Sequence, residues 1–180
     1  MVNRTRRLSV ILVLLGVSSL VPQGAQQDDD SLITLLTAES AAERNTPIPH
    51  FVLRDLKGRL WSDHDLHGRI TLVTLERQDC HQCLRDLTNL SQLALAPDPN
   101  QPVMILALRF DRAPSAQAQD SRYPFPVLLG NELLQEPVGL PRTWILDYNA
   151  VIRDVIVGNT DVPDLKDRIR MVGARWRQRR

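Results

Sequence analysis

Short apolar runs and a helical stripe follow one another in the middle of the chain. Residues 70–75 (ITLVTL) and 103–108 (VMILAL) are almost wholly apolar, which is typical of strands buried on both faces of a sheet. Between these runs, Leu84, Leu87 and Leu90 recur at helical spacing. A strand, a helix and a second strand in this order predict a parallel crossover unit.

Weaker patterns on either side complete an α/β fold with a mixed central sheet, helices on both faces and an extra N-terminal β-hairpin. The hairpin is predicted at residues 51–61, where apolar residues flank a turn sequence that ends in Gly58. Further strands are predicted at residues 125–129, 143–146 and 151–157. A short helix fits the polar residues 112–122. An amphipathic helix is predicted from residue 163 onward, with the stripe Leu165, Ile169, Val172 and Trp176.

The N-terminal residues have the pattern of an export leader. Arg4, Arg6 and Arg7 precede an apolar run at residues 8–21, which spans roughly 21 Å as a helix and is too short for a hydrocarbon core of about 30 Å. We therefore expect residues 1–25 to be a cleaved signal peptide, in preference to an uncleaved N-terminal anchor. The remainder is expected to be periplasmic, either soluble or tethered to the inner membrane, in a compartment where disulfides persist.

Composition and charge limit the classes of function. The 180-residue chain is long enough for one buried core and short for two, so we expect a spacer or short helix at residues 26–46 and one domain at residues 47–180. The formal charge of +1 includes the three leader arginines, so the remainder carries −2. A weakly acidic domain has no general attraction for nucleic acid, and no nucleic-acid partner is expected.

The chain has two cysteines, Cys80 and Cys83, which follow the run at residues 70–75 at the first turn of the predicted helix. Free N–H groups and the positive end of the helix dipole favour a thiolate at this position. We therefore interpret Cys80 as the attacking thiol and Cys83 as the resolving thiol of a redox-active pair, with no further cofactor. A purely structural bridge is the less favoured alternative, because so small a loop would stabilise the fold by only about 2 kcal/mol.

Four nearby residues are candidates for supporting roles. Asp86 lies one turn into the predicted helix and could accept the proton of Cys83, although it could also be an ordinary surface acid. Glu76 is a second candidate base. His81 and Gln82 lie between the cysteines and are candidates for tuning the thiolate or contacting a substrate, with a plain solvent-facing position as the alternative for His81.

Four segments, in order, resemble the TlpA-like exported thiol–disulfide oxidoreductases of the thioredoxin fold, a family that includes cytochrome c maturation reductases. The segments are residues 49–58, 65–73, 80–83 with Asp86, and 139–147. The resemblance implies that Pro141 is cis and lies against the cysteine pair, and that Leu140 offers its backbone to an incoming peptide. It also implies protein thiol or disulfide substrates, an upstream thiol electron donor, and reduction as the direction, for example of apocytochrome c.

The chain departs from that family around the cysteines. Residues 76–79 (ERQD) replace the usual aromatic and small residues, no proline lies between the cysteines, and Thr88 stands where a proline is usual. A charged Asp79 would oppose a thiolate at Cys80, whereas Arg77 or a protonated His81 would favour it. These departures bear on the partner and the redox potential more than on the fold.

Two other classes of function remain open at the level of sequence. His64 and His67 precede Cys80 and Cys83 with a spacing that would suit a zinc-binding module. A redox-inactive thioredoxin-like binding domain that retains its cysteines is the other alternative.

Overall fold

The computed structural model describes residues 41–77, 79–110, 123–130 and 139–178. Its strands are β1 (Val52–Arg54), β2 (Leu60–Ser62), β3 (Ile70–Glu76), β4 (Val103–Arg109), β5 (Val127–Leu129), β6 (Arg142–Leu146) and β7 (Ile152–Val157). Its helices are a 3-10 helix (Asp63–Leu66), α1 (His81–Leu95) and α2 (Val162–Arg177). The predicted export leader at residues 1–25 and the predicted short helix at 112–122 lie outside the described residues.

The central sheet is mixed and five-stranded, in the order β5-β4-β3-β6-β7. β3, β4 and β5 run parallel, whereas β6 and β7 are antiparallel to their neighbours. Because β3 and β4 are parallel and joined through α1, the predicted crossover unit is confirmed. β3 is central and buried along its full length, as its apolar run predicts.

Both long helices cover one face of the sheet. Side chains alternate along a strand, so Ile70 and Leu72 of β3 point to this face and Val73 and Leu75 to the other. The helices contribute Leu87, Leu90, Leu93, Leu165, Ile169 and Val172 to the first face. Each fully buried leucine or isoleucine stabilises the fold by about 1.5–3 kcal/mol relative to an exposed one.

The N-terminal hairpin and the 3-10 helix cover the other face, through Leu53 and Leu66. β1 and β2 pair antiparallel, with Leu53 opposite Trp61, so the predicted hairpin is confirmed. Its turn ends at Gly58, whose φ of 83° is a left-handed conformation that glycine adopts readily. The predicted α/β class, with a mixed sheet and an extra hairpin, is therefore the observed one. Helices are predicted on both faces; among the described residues both long helices lie on one face, and the 3-10 helix lies on the other.

Residues upstream of the hairpin also pack against the sheet. Glu43 Oε2 accepts hydrogen bonds from Arg142 Nε at 3.1 Å and from Trp144 Nε1 at 2.8 Å. Ile48 is buried, and its N–H donates to the Ala150 carbonyl at 2.9 Å. The packed part of the chain thus includes residues before the predicted domain boundary at residue 47. Within the described ranges, no helix is long and apolar enough to cross a membrane.

Candidate redox site

The cysteine pair lies where the central strand gives way to α1. β3 ends at Glu76, and Cys80 is the N-cap residue of α1, with extended backbone angles. The Cys83 N–H donates to Cys80 Sγ at 3.1 Å, so a free amide of the first helical turn points at the sulfur. A group placed in this way stabilises negative charge on Cys80, because both the amide and the helix dipole favour an anion there.

Cys80 and Cys83 form a disulfide, with Cα atoms 5.2 Å apart. Cys80 is half-buried, whereas Cys83 is completely buried. A partner can therefore approach Cys80, and the protein itself shields Cys83. This difference in access is what an attacking thiol and a resolving thiol require.

Asp86 is buried, three residues after Cys83 on the same helix. The hydroxyl of Thr74, on β3, donates to Asp86 Oδ2 at 3.2 Å, and Thr143 Oγ1, on β6, lies 3.4 Å from the same oxygen. Burial raises the pKa of Asp86, and hydrogen bonds from Thr74, Thr143 and the Thr160 backbone partly oppose that rise. Among the described residues, Asp86 Oδ1 has no hydrogen-bond partner. The surface-acid alternative for Asp86 is therefore wrong.

Arg77 and Asp79, just before the cysteines, pair with each other. Arg77 Nε donates to Asp79 Oδ1 at 2.9 Å, and a second guanidinium nitrogen donates to Oδ2 at 2.7 Å. The hydrogen bond from Arg77 lowers the pKa of Asp79, so its carboxylate stays charged but is matched by an adjacent cation. The opposing influences that these two residues would have on Cys80 therefore largely cancel.

The two residues between the cysteines are both exposed. The carbonyl of Gln82 accepts a hydrogen bond from Asn159 Nδ2 at 2.7 Å, and Asn89 Nδ2 donates to the Thr160 carbonyl at 2.7 Å. These two bonds hold the loop before α2 against the first turns of α1. Sequence reasoning missed Asn159 and Asn89, because neither stands out by spacing or composition. The roles of His81 and Gln82 in tuning the thiolate or contacting a substrate stay predictions.

Glu76 lies at the end of β3, opposite Arg109 at the end of β4. Arg109 Nε donates to Glu76 Oε1 at 2.5 Å, and both side chains are almost fully buried. The structure thus places Glu76 in an ion pair that joins two parallel strands. Its predicted role as a second base stays a prediction.

The Leu140–Pro141 peptide bond is cis, as the family resemblance implies. Pro141 is buried, Leu140 is half-buried, and β6 begins directly after them at Arg142. Arg142 is opposite Leu75 in the register of β3 and β6. Pro141 therefore lies at the same end of the sheet as the last residues of β3, from which the chain leads to Cys80. The proposed contacts of Pro141 with the cysteines and of Leu140 with a peptide stay predictions.

The structure separates the four residues of the predicted zinc-binding module. His64 and His67 lie before β3, whereas the cysteines follow its far end and are bonded to each other. The seven residues of β3 span roughly 20 Å, so the histidines and cysteines cannot bind one ion. This alternative is wrong in the form that the spacing suggests. A cavity of about 500 Å³ lies near the start of β3 and β4, between Trp61, Val103 and Lys166, away from the cysteines.

Comparisons with known proteins identify the fold. No protein-family model and no curated protein sequence matches the chain. A thiol:disulfide interchange protein of Chlorobium tepidum is similar with a TM-score of 0.61 and 18% identity, over 72% of this chain and 97% of that one. A thioredoxin-like protein of Neisseria meningitidis has a TM-score of 0.59 and 23% identity, over 72% and 89% of the two chains. StoA of Bacillus subtilis has a TM-score of 0.56 and 18% identity, over 68% and 97%. The chain therefore has a thioredoxin-like fold, as the sequence predicts.

Proposed function

We propose that this protein is an exported thiol–disulfide oxidoreductase that exchanges its Cys80–Cys83 pair with protein thiols and disulfides. The observation that carries the proposal is the asymmetry of the pair: Cys80 is accessible and accepts an amide hydrogen bond, and Cys83 is buried. Two of the solved structures with the same fold are thiol:disulfide interchange proteins of Chlorobium tepidum, which supports this class of activity. The predicted leader supports export.

In the reducing direction, the thiolate of Cys80 attacks one sulfur of a partner disulfide. A mixed disulfide forms, and the other partner sulfur leaves as a thiolate that takes a proton from solvent. Cys83 then loses its proton and attacks Cys80 Sγ, which forms the Cys80–Cys83 disulfide and releases the second partner thiol. The partner gains two electrons, and an upstream dithiol donor must return two to the pair.

We assign Asp86 as the group that accepts the proton of Cys83. It lies three residues after Cys83 on α1, and residues at this spacing are neighbours on a helix surface. Its Oδ1 is free to accept a proton within the described structure, and burial raises its pKa toward the range in which a carboxylate is an effective base. The proton would thus pass between two groups that are both buried on α1.

Reduction of partner disulfides is the direction we favour, and we place the protein with the TlpA-like oxidoreductases. The four sequence segments and the matching position of Asp86 support this subdivision of the fold. A role in cytochrome c maturation, with apocytochrome c as the substrate and a possible inner-membrane tether, follows from the same resemblance. In that role an upstream thiol donor would keep the pair reduced.

A redox titration tests the proposal. The purified chain is equilibrated with glutathione buffers, and the fraction oxidised is read as a mass shift after thiol alkylation. We expect a midpoint near or below about −220 mV, which is the range of a reductase. A midpoint between about −120 and −180 mV would instead identify an oxidant or isomerase. A pair that does not change state in any buffer would contradict the proposal, and the Cys80→Ser/Cys83→Ser variant sets the baseline.

A further inference from the structure

Three of the four histidines of the chain form a row on the side of the molecule away from the cysteines. The rings of His50 and His64 are 6.1 Å apart, and so are those of His64 and His67. Asp63 lies within this row, with Oδ1 2.7 Å from His50 Nδ1. One ligand atom from each of His50, Asp63 and His64 lies within 4.8 Å of the other two. The redox chemistry uses none of these residues.

Buried neighbours hold both parts of this cluster in place. His50 is followed by Phe51, which is buried in the core, and the 3-10 helix that carries Asp63 and His64 is anchored by the fully buried Leu66. The backbone N–H of Phe51 also points at Asp63 Oδ1, at 3.4 Å. The cluster therefore joins two separate segments of the chain, and buried neighbours hold the backbone of each segment. The side chain of His50 is nevertheless 71% exposed.

The start of the 3-10 helix is stabilised by a capping interaction. Asp65 Oδ2 accepts a hydrogen bond from the Ser62 N–H at 2.7 Å and lies 3.0 Å from the Ser62 hydroxyl. Asp65 is thereby occupied by the cap, and Asp63 is left to face His50.

We propose that His50, Asp63 and His64 bind a divalent transition-metal ion of the zinc type. Two imidazoles and one carboxylate are a common donor set for zinc, with bonds of about 2.0–2.2 Å. The three ligand atoms, which lie within 4.8 Å of one another, would draw together around one ion. On binding, any proton that His50 Nδ1 shares with Asp63 Oδ1 is released to solvent, and the metal takes its place.

The proposed metal site is independent of the proposed redox function. It lies before β3, and the cysteines follow the other end of that strand, roughly 20 Å away. A bound ion would fasten the residues before the hairpin to the 3-10 helix. It would therefore stabilise the folded chain, since the separated ligands of the unfolded chain bind more weakly.

Zinc titration of the full chain tests the site. The protein is first stripped of metal and kept in the disulfide form, so that the cysteines cannot bind zinc, and zinc is then added against a chromophoric chelator. We expect one zinc per chain, together with a rise in Tm. His50→Ala and His64→Ala should each weaken binding by at least about 100-fold, the upper end of what loss of an outer-shell partner costs. Asp63→Asn should weaken binding while preserving the side-chain shape.

His67→Ala is the matched control, because it removes a neighbouring histidine outside the proposed set. It should bind zinc as the wild type does and show the same rise in Tm. Failure of the wild type to bind one zinc would overturn the proposal. Binding that survives His64→Ala, or that is lost equally in His67→Ala, would also overturn it. Circular dichroism of each variant separates loss of binding from loss of fold.

Discussion

The hydroxyl of Thr74 donates a hydrogen bond to Asp86 Oδ2 over 3.2 Å, and so joins the strand that leads to the cysteines to the helix that carries them. Thr143 extends this contact to β6, with its Oγ1 3.1 Å from that of Thr74. All three side chains are buried. Burial makes this carboxyl group costly to ionise, and the two hydroxyls offset only part of that cost.

Replacing Asp86 with Asn should stabilise the protein at neutral pH. Burial raises the pKa of Asp86 in the folded state above its ordinary value of 3.8, so the folded state binds the proton more tightly than the unfolded state does. The stability that the protonated group supports is complete below pH 3.8 and is lost as the pH rises through the folded pKa. Asn does not ionise, so it avoids the cost of a buried charge. The stabilisation by Asp86→Asn should therefore be present at pH 7 and absent at low pH.

Urea denaturation at pH 7 and at pH 3.5 measures this difference. The exposed Asp167 on α2 provides the control, since Asp167→Asn should change the free energy of unfolding by less than about 0.5 kcal/mol at either pH. Equal stability of Asp86→Asn and the wild type at both pH values would count against a raised pKa.

The same variant should slow the resolution of the mixed disulfide. Loss of a general base commonly costs about 10²-fold or more in rate, so Asp86→Asn should release a bound partner thiol at least about 10²-fold more slowly. Glu76→Gln, measured under conditions in which circular dichroism shows it folded, should leave this rate within about twofold, because Glu76 is engaged with Arg109. Stopped-flow measurement of thiol release from a glutathione adduct gives both rates. A larger effect of Glu76→Gln would make Glu76 the base.

Replacing Cys83 with Ser should trap a stable mixed disulfide through Cys80. When the reduced variants are mixed with oxidised glutathione, Cys83→Ser should gain a glutathione adduct that mass spectrometry detects. Cys80→Ser should gain one at least about tenfold more slowly, because its remaining thiol is buried. Equal rates for the two variants would show that burial does not select the attacking cysteine.

The ion pair between Glu76 and Arg109 should matter for folding. Glu76→Gln or Arg109→Met should each lower the free energy of unfolding by about 3–5 kcal/mol, because one buried charge loses its 2.5 Å partner. Replacing both residues with apolar ones should cost much less than the two single changes together. Chemical denaturation tests this double-mutant cycle. Arg170→Gln, in the exposed pair with Asp167, is the control and should cost less than about 1 kcal/mol.

Gly173 of α2 should resist replacement by alanine. A Cβ at this position would lie 2.2 Å from Gln101 Nε2, which donates to the Ile169 carbonyl at 3.0 Å. Gly173→Ala should therefore break this bond and lower stability by about 1 kcal/mol. In a Gln101→Ala background the same change should no longer lower stability, because the usual helix preference for alanine over glycine, roughly 0.5–1 kcal/mol, is then opposed only by the 3.2 Å contact with Ile70 Cδ1. A stabilising Gly173→Ala in the wild type would contradict the predicted clash.

Hydrophobic periodicity determined the elements and their order from the sequence alone. β3, α1 and β4 have patterns strong enough to show a crossover unit, and the position of Cys80 at a helix start follows from that unit. The cis bond at Pro141 came from resemblance to a known family and not from any pattern in the residues. The first features are local, and the cis bond lies in a segment that resembles that family, so none of them depends on how the helices and strands pack.

Only the tertiary structure decided which polar side chains meet. Asp86 could have been a surface acid until α1 was placed against Thr74 and Thr143, which lie on two different strands. The spacing of His64 grouped it with the cysteines, but β3 separates them, and the fold brings His64 to His50 and Asp63 instead. Apolar periodicity is a property of consecutive residues. Contacts between distant polar groups depend on strand register and helix placement, which the whole core sets at once.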